Sequence, residues 1–237
     1  MRGIDLVIER EFSLFKGLSA VVRSFGVLDY AALHPGELSA GLAISSAKRR
    51  RDFLCGRAVA RLALVEVGCF YNSPILRAEM GEPVWPGGLV GSISHSGDLV
   101  GCVISSSSVY SSVGMDIQRF GGAATRYKMG ILRRICSPGE IRWVCPSDVL
   151  DCSRFFAIFS AKEAFYKAFF PLCRGPLSLG DVEFRLDCGA SGLPASGEGI
   201  ATLVRDLDFR YRRGFTFPFR MACGGGYAFS CLVLETW

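Results

Sequence analysis

Between residues 89 and 118 three apolar runs follow one another: LVGSISH, LVGCVIS and VYSSVGMDIQ. Ser-Gly-Asp separates the first two, and a serine run separates the others. Short runs broken by turn residues predict an antiparallel meander of three strands. In the third run Val113, Met115 and Ile117 alternate with Gly114, Asp116 and Gln118. Successive side chains of a strand point to opposite faces, so the first set faces a core. Asp116 and Gln118 then share the other face, ~7 Å apart. Upstream, SSAKRRRDFLCGRAVARLALVEVG predicts a helix that Ser45 or Ser46 caps and Gly68 ends. Downstream, DCSRFFAIFSAKEAFYKAFF over residues 151–170 predicts a second helix, stopped at Pro171. DVEFRL, GIATLV and GYAFSCLVLE follow as strands, with CGASGLPASGEG a flexible connection. Residues 1–44 read as short strands and loops. The order helix, then three strands, occurs twice. It predicts an α+β fold of two similar lobes, each a small antiparallel sheet on a long helix, with the boundary near residue 112.

Composition narrows the class. Half of the 237 residues are hydrophobic, enough for a sizeable core and against disorder. A formal charge of +5 favours acidic or phosphate-bearing partners and is too small to indicate nucleic acid by itself. The ten cysteines are scattered, with no Cys-x-x-Cys pair, which fits free thiols in a reducing cytosol. The opening MRGIDLVIEREF carries charges throughout, so no signal peptide is expected. No apolar run approaches ~18 residues, so no membrane span is expected. His34 and His95 are the only histidines, which argues against a Cys/His zinc cluster.

Three places could carry chemistry. On a wheel of the second helix, Glu163 shares its face with Phe156, Phe159, Tyr166, Lys167 and Phe170. Glu163 and Lys167 could be an ordinary i,i+4 pair. A carboxylate on so apolar a face could instead need a charge partner or a metal. His95, in GSISHSGD, could be a hydrogen-bonded strand-end histidine, an anion ligand or a base. Ser92, Ser94 and Ser96 beside it suggest a hydrolase, but there is no Gly-x-Ser-x-Gly elbow. The run Lys48-Arg49-Arg50-Arg51, followed by Arg57 and Arg61, could be a solvated face or a phosphate site near a helix N-terminus.

Taken in order, the basic helix, GEPVWPGGLVGSISHS, GMDIQ and FSAKEAFYKAFFP resemble the Sfp-type 4′-phosphopantetheinyl transferases, especially the enterobactin-synthase-like bacterial branch. The resemblance runs from about Lys48 to Asp181. The family signature W/F-x-x-K-E-A-x-x-K matches Phe159, Lys162, Glu163, Ala164 and Lys167. Gly-x-Asp-x-Glu matches Gly114 and Asp116 and departs at Gln118, and Ser-x-Ser-His-Ser matches Ser92–Ser96. The resemblance implies two α/β lobes, taken as residues 1–112 and 113–237, with the active site in the cleft between them. It implies a cytoplasmic monomer that moves phosphopantetheine from coenzyme A to a serine of an apo acyl or peptidyl carrier protein, releasing adenosine 3′,5′-bisphosphate. Siderophore, polyketide or nonribosomal-peptide biosynthesis is the implied setting, with no nucleic-acid or membrane partner. By the same resemblance Glu163 and Lys167 are catalytic. Arg49, Arg57, Arg77, His95 and Lys162 bind coenzyme A. Asp116 and Glu163 hold Mg²⁺, with Gln118 ligating weakly or through water. A segment mixing Arg126, Lys128, Arg133 and Arg134 with Tyr127, Met129, Ile131 and Leu132 is either a carrier-docking surface or a solvated connection. Two rivals remain. A non-catalytic coenzyme A binder would use the same residues without transfer. A basic nucleic-acid module would leave the acidic cluster without a role.

Overall fold

A strand buried along its whole length must be covered on both faces. Two segments come within one residue of that condition: Leu99–Ser106 (β3), buried at seven of eight positions, and Tyr227–Glu235 (β8), buried at eight of nine. Each is an interior strand of its sheet. The computed structural model describes residues 8–120, 129–173, 175–186 and 196–236. In it β3 lies between Leu18–Ser24 (β1) and Leu89–Ser96 (β2) in a three-stranded antiparallel sheet. The second sheet contains Tyr110–Arg119 (β4), Val182–Leu186 (β5), Ser196–Leu203 (β6), Thr216–Gly224 (β7) and β8, in the order β4-β8-β7-β6-β5.

The helices are Pro35–Leu42 (α1), Ala47–Glu66 (α2), Met129–Ile135 (α3), Pro138–Val144 (α4) and Cys152–Cys173 (α5), beside a helical stretch at 8–12. α2 lays Cys55, Val59, Ala60, Ala63 and Leu64 on Val21, Val100, Cys102 and Ile104 of the first sheet. The other face of that sheet, with Ala20, Val22, Leu99 and Val103, packs on Val113, Met115, Ile117, Phe229 and Cys231 of the second. The outer face of the second sheet packs on α5 through Ala161, Ala164, Phe165, Ala168 and Phe169. The stacking order is therefore helix, sheet, sheet, helix.

Several expectations need correction. β4 is not the third strand of a meander. It leaves β3 and pairs with β8, Asp116 opposite Ser230. β2 and β4 are joined by side chains instead. The Oγ atoms of Ser92, Ser94 and Ser96 accept the backbone N–H groups of Met115, Ile117 and Arg119 at 3.1, 3.1 and 3.0 Å. The second sheet also contains β7, a strand outside the expected three, with Pro218 inside it. Pro218 is tolerated because it pairs only with Ile200 of β6, and the ladder to β8 begins one residue later, at Phe219. Pro171 does not stop α5, which continues through it to Cys173 and gives up the bond that residue 171 would donate to the Lys167 carbonyl. α1 was also unforeseen, although HPGE carries its signals: Pro35 at the start, and a capping box between His34 and Glu37. Within the expected connection CGASGLPASGEG, residues 188–195 lie outside the described residues and Ser196–Gly199 belong to β6.

Candidate active site

The site begins with a close crossing of α5 over β4. A Cβ at Gly114 would lie 2.0 Å from the Ala164 carbonyl oxygen and 2.8 Å from the Ala168 nitrogen, so only glycine admits the helix. Ser160 fastens the crossing by donating its hydroxyl to the Asp116 carbonyl at 3.1 Å. Glu163 and Lys167, one and two turns further along α5, are thereby brought to Asp116.

The Asp116 side chain is buried, and both of its oxygens accept hydrogen bonds. Its Oδ1 accepts from Lys167 Nζ at 2.6 Å and from the Ser94 hydroxyl at 2.7 Å. Its Oδ2 accepts from Gln118 Nε2 at 2.7 Å. Lys167 Nζ also donates to Ser94 Oγ at 2.9 Å and to the Met115 carbonyl at 3.1 Å, which uses all three of its N–H groups. Glu163 is half-buried, and among the described residues its carboxylate accepts no hydrogen bond. Burial first, and then the Asp116 charge, push its carboxyl above the usual range; Lys167 opposes them. Two carboxylates bear on one another with a single ammonium between them.

His95 sits at the end of β2 with its Nδ1 3.9 Å from Asp52 Oδ2 on α2, too far for a hydrogen bond. Partial burial pushes the imidazole below its ordinary pKa against the pull of Asp52, and Lys167 and Lys48 add to the push. The ring is therefore neutral near pH 7. Asp52 is itself buried and paired with Lys48 at 3.2 Å and Arg51 at 3.3 Å.

Arg49, Phe53 and Arg57 recur every fourth residue on one stripe of α2. The Arg57 guanidinium stands 4.5 Å from the Phe53 ring centre, and that of Arg77 stands 5.0 Å from the same ring. Arg57 is buried, and it donates from Nε and Nη2 to the carbonyls of Ile75 and Leu76, which fixes the segment carrying Arg77. Burial, and next the Arg77 charge, lower Arg57 to about 10. Two cations held against their own repulsion make a site where an anion is favoured. Of the neighbouring arginines, Arg50 donates to the Ile44 carbonyl at 3.0 Å. Arg49 is exposed, and its guanidinium has no partner among the described residues.

Lys162 is not with the others, and its expected place beside coenzyme A is corrected. It lies about 100° around α5 from Glu163 and is fully buried, with Nζ 3.0 Å from Glu140 Oε2. It donates to the carbonyls of Leu179 and Val182 at 3.0 and 2.6 Å. In the expected docking segment, 121–128 lie outside the described residues; Ile131, Arg133 and Arg134 are exposed on α3, and Leu132 is buried.

A cavity of about 330 Å³ opens beside Lys167, lined by Pro83, Trp85, Ile93, Tyr166 and Phe170. Among the described residues no group of three or more His, Cys, Asp or Glu side chains gathers, which disfavours zinc. Asp116 and Glu163 fit Mg²⁺, which takes one or two carboxylates and completes its shell with phosphate oxygens and water. Ser94, Ser160 and the apolar cavity are the parts of the site that the sequence did not reveal. The signal for Ser94 was present, in serines spaced by two along a strand.

A family model described as the 4′-phosphopantetheinyl transferase N-terminal domain matches residues 38–105, and one described as the 4′-phosphopantetheinyl transferase superfamily matches residues 112–209. The 4′-phosphopantetheinyl transferase Npt of Nocardia iowensis is 33% identical over 190 residues, 77% of this chain and 80% of that protein. The 4′-phosphopantetheinyl transferase PptT of Mycobacterium tuberculosis is 36% identical over 152 residues, 64% of each chain. Enterobactin synthase component D of Escherichia coli (strain K12) is 32% identical over 126 residues, 51% of this chain and 55% of that protein.

Proposed function

The chain belongs to the 4′-phosphopantetheinyl transferase superfamily, and we propose from that premise that it transfers 4′-phosphopantetheine from coenzyme A to a serine hydroxyl of an apo acyl or peptidyl carrier protein. Adenosine 3′,5′-bisphosphate is released. The observation that carries the reading is the meeting of Asp116, Glu163 and Lys167 at the β4–α5 crossing, together with the Arg57–Arg77 pair held against Phe53 of α2.

The division of labour follows from charge. The coenzyme's phosphates fall to Arg49, Arg77 and His95, with Arg57 contributing whatever donor its two carbonyls leave. Its pantetheine arm suits the apolar cavity beside Lys167. Asp116 and Glu163 would hold Mg²⁺, with Gln118 touching it weakly or through water, and the ion would neutralise the diphosphate when bound. Glu163, whose carboxyl lies above the usual range, is suited to take the proton of the carrier serine. The serine oxygen then bonds to the β-phosphorus, and the bond from that phosphorus to the bridging oxygen breaks. Lys167 would stabilise the charge that develops on the diphosphate. The lobes are taken as residues 1–112 and 113–237 with this site between them. One chain holding both lobes supports a monomer. No helix among the described residues is long and apolar enough to cross a membrane, and a cytoplasmic location is proposed. The enterobactin synthase relative favours a siderophore-type or related biosynthetic carrier.

A second reading, coenzyme A binding without transfer, is favoured by one observation: an amide stands at Gln118 where the family pattern has a carboxylate. The deciding experiment incubates the protein with coenzyme A, Mg²⁺ and several apo carrier proteins and records intact carrier masses. A carrier that gains one phosphopantetheine supports transfer. No gain on any carrier, with coenzyme A binding measured, assigns the chain to binding alone.

A further inference from the structure

Ser92, Ser94 and Ser96 carry the same structural duty, each accepting one β4 backbone N–H across the junction of the two sheets. Ser94 alone does more. A hydroxyl has one proton to give and two lone pairs to offer. The Ser94 proton goes to Asp116 Oδ1 at 2.7 Å; its oxygen takes the Ile117 N–H at 3.1 Å and the Lys167 ammonium at 2.9 Å. Every bonding position is used, and the residue is buried, so water has no room to replace it. Among the described residues Ser92 bonds only to the Met115 backbone, and Ser96 only to that of Arg119.

We propose that Ser94 is a positioning residue for the transfer reaction, one that fixes the Asp116 carboxylate and the Lys167 ammonium relative to each other before substrate enters. The proposal rests on the reading of Asp116 and Lys167 as the reaction's charged groups. The geometry gives it content. Asp116 belongs to the second sheet, Lys167 to the helix behind it, and Ser94 to the first sheet, so the hydroxyl is the point where three layers meet on one charge pair. A lysine carries a long, mobile stem, and Ser94 supplies one of the three acceptors that hold its end. With the hydroxyl gone, Oδ1 loses its neutral donor and the ammonium swings on two anchors.

The test compares Ser94→Ala and Ser94→Thr with Ser92→Ala and Ser96→Ala. For each, kcat and KM for coenzyme A, the melting temperature, and the calorimetric affinity for Mg²⁺ in the presence of coenzyme A are measured. Ser94→Ala is expected to lower kcat about 10- to 100-fold and to weaken Mg²⁺ about 10-fold, as loss of an orienting partner does. Its KM for coenzyme A should stay within about three-fold, and Ser94→Thr should restore kcat to the same margin. The two control variants keep kcat and Mg²⁺ affinity, although Ser92→Ala melts as early as Ser94→Ala. The proposal is overturned if Ser92→Ala and Ser94→Ala lose kcat equally, or if folded Ser94→Thr rescues nothing. If the wild-type chain modifies no carrier, the functional reading fails separately. Calorimetry then decides this proposal: Mg²⁺ weakened by Ser94→Ala and not by Ser92→Ala supports it, and equal affinities sink it.

Discussion

Replacing Gly114 by alanine adds one methyl group where the helix leaves no room. The new Cβ would stand 2.0 Å from the Ala164 carbonyl oxygen, 2.8 Å from the Ala168 nitrogen and 2.9 Å from the Ala168 Cβ. Ordinary contacts between heavy atoms begin well above ~3 Å, so α5 must retreat by about 1 Å. The opposing atoms are helix backbone, and no side-chain rotation relieves them. Overpacking of this kind costs ~1–3 kcal/mol, and a backbone clash belongs at the upper end. For a domain of this size each kcal/mol moves the midpoint by about 2–4 °C, so a fall of roughly 6–12 °C is expected. The functional loss should be larger in proportion. Glu163 and Lys167 ride on α5, and a 1 Å displacement of reacting groups costs about 100-fold in rate. Thermal melts and carrier modification, the latter measured well below both midpoints, give the two numbers. Gly130→Ala is the control: among the described residues nothing lies within 4 Å of that position in α3, and alanine there should stabilise slightly. If Gly114→Ala melts with the wild type and transfers at its rate, α5 does not bear on β4. The placement of Glu163 and Lys167 over Asp116 would fall with it.

Three further outcomes are expected. Glu163→Gln should abolish transfer and raise the melting midpoint of the metal-free protein at neutral pH by a few degrees, because a strained functional carboxylate is removed. The carboxyl is raised in the folded state, so its contribution to stability falls as pH rises through that raised value. The two proteins should therefore melt together below about pH 4, and a gap that persists there refutes the account. Lys162→Met leaves Glu140 buried and uncompensated, which costs ~3–5 kcal/mol and at least about 6 °C. Unchanged melting with weakened coenzyme A binding would instead return Lys162 to the cofactor. Gln118→Glu should reduce the Mg²⁺ needed for half-maximal transfer, and an unaltered requirement would remove residue 118 from the metal's surroundings.

What was legible in the sequence was whatever local spacing encodes. A cap for α2 at Ser45 or Ser46, of which the structure uses Ser46, and the inward set Val113, Met115 and Ile117 follow from period and capping alone. So does the sharing of one helix by Glu163 and Lys167. What failed was pairing at a distance. Three strands in close succession suggest a meander because neighbours in sequence usually pair. β4 pairs instead with β8, more than a hundred residues on, and the cross-sheet tie that takes the place of a β2–β4 ladder is made by serine hydroxyls. Lys162 failed for a related reason. A signature places it next to Glu163 in sequence, while the helix sends the two side chains to different surroundings, one towards Asp116 and one to Glu140.

The same logic gives Gln118 a physical role that its departure from the family pattern does not suggest. In the protein without ligands, Asp116 and Glu163 face one ammonium, that of Lys167. A glutamate at 118 would set a third carboxylate against Asp116, and the 2.7 Å donor from Nε2 would be lost. Like charges this close raise one another's pKa and oppose folding. The amide does the reverse, offering Asp116 a neutral donor on the oxygen that Lys167 and Ser94 do not occupy. A carboxylate at 118 favours the site when a cation fills it; an amide favours the site when it is empty. Gln118 is therefore consistent with an intact arrangement of Asp116, Ser94 and Lys167, because the residue that departs from the pattern is itself bonded to the aspartate that keeps it.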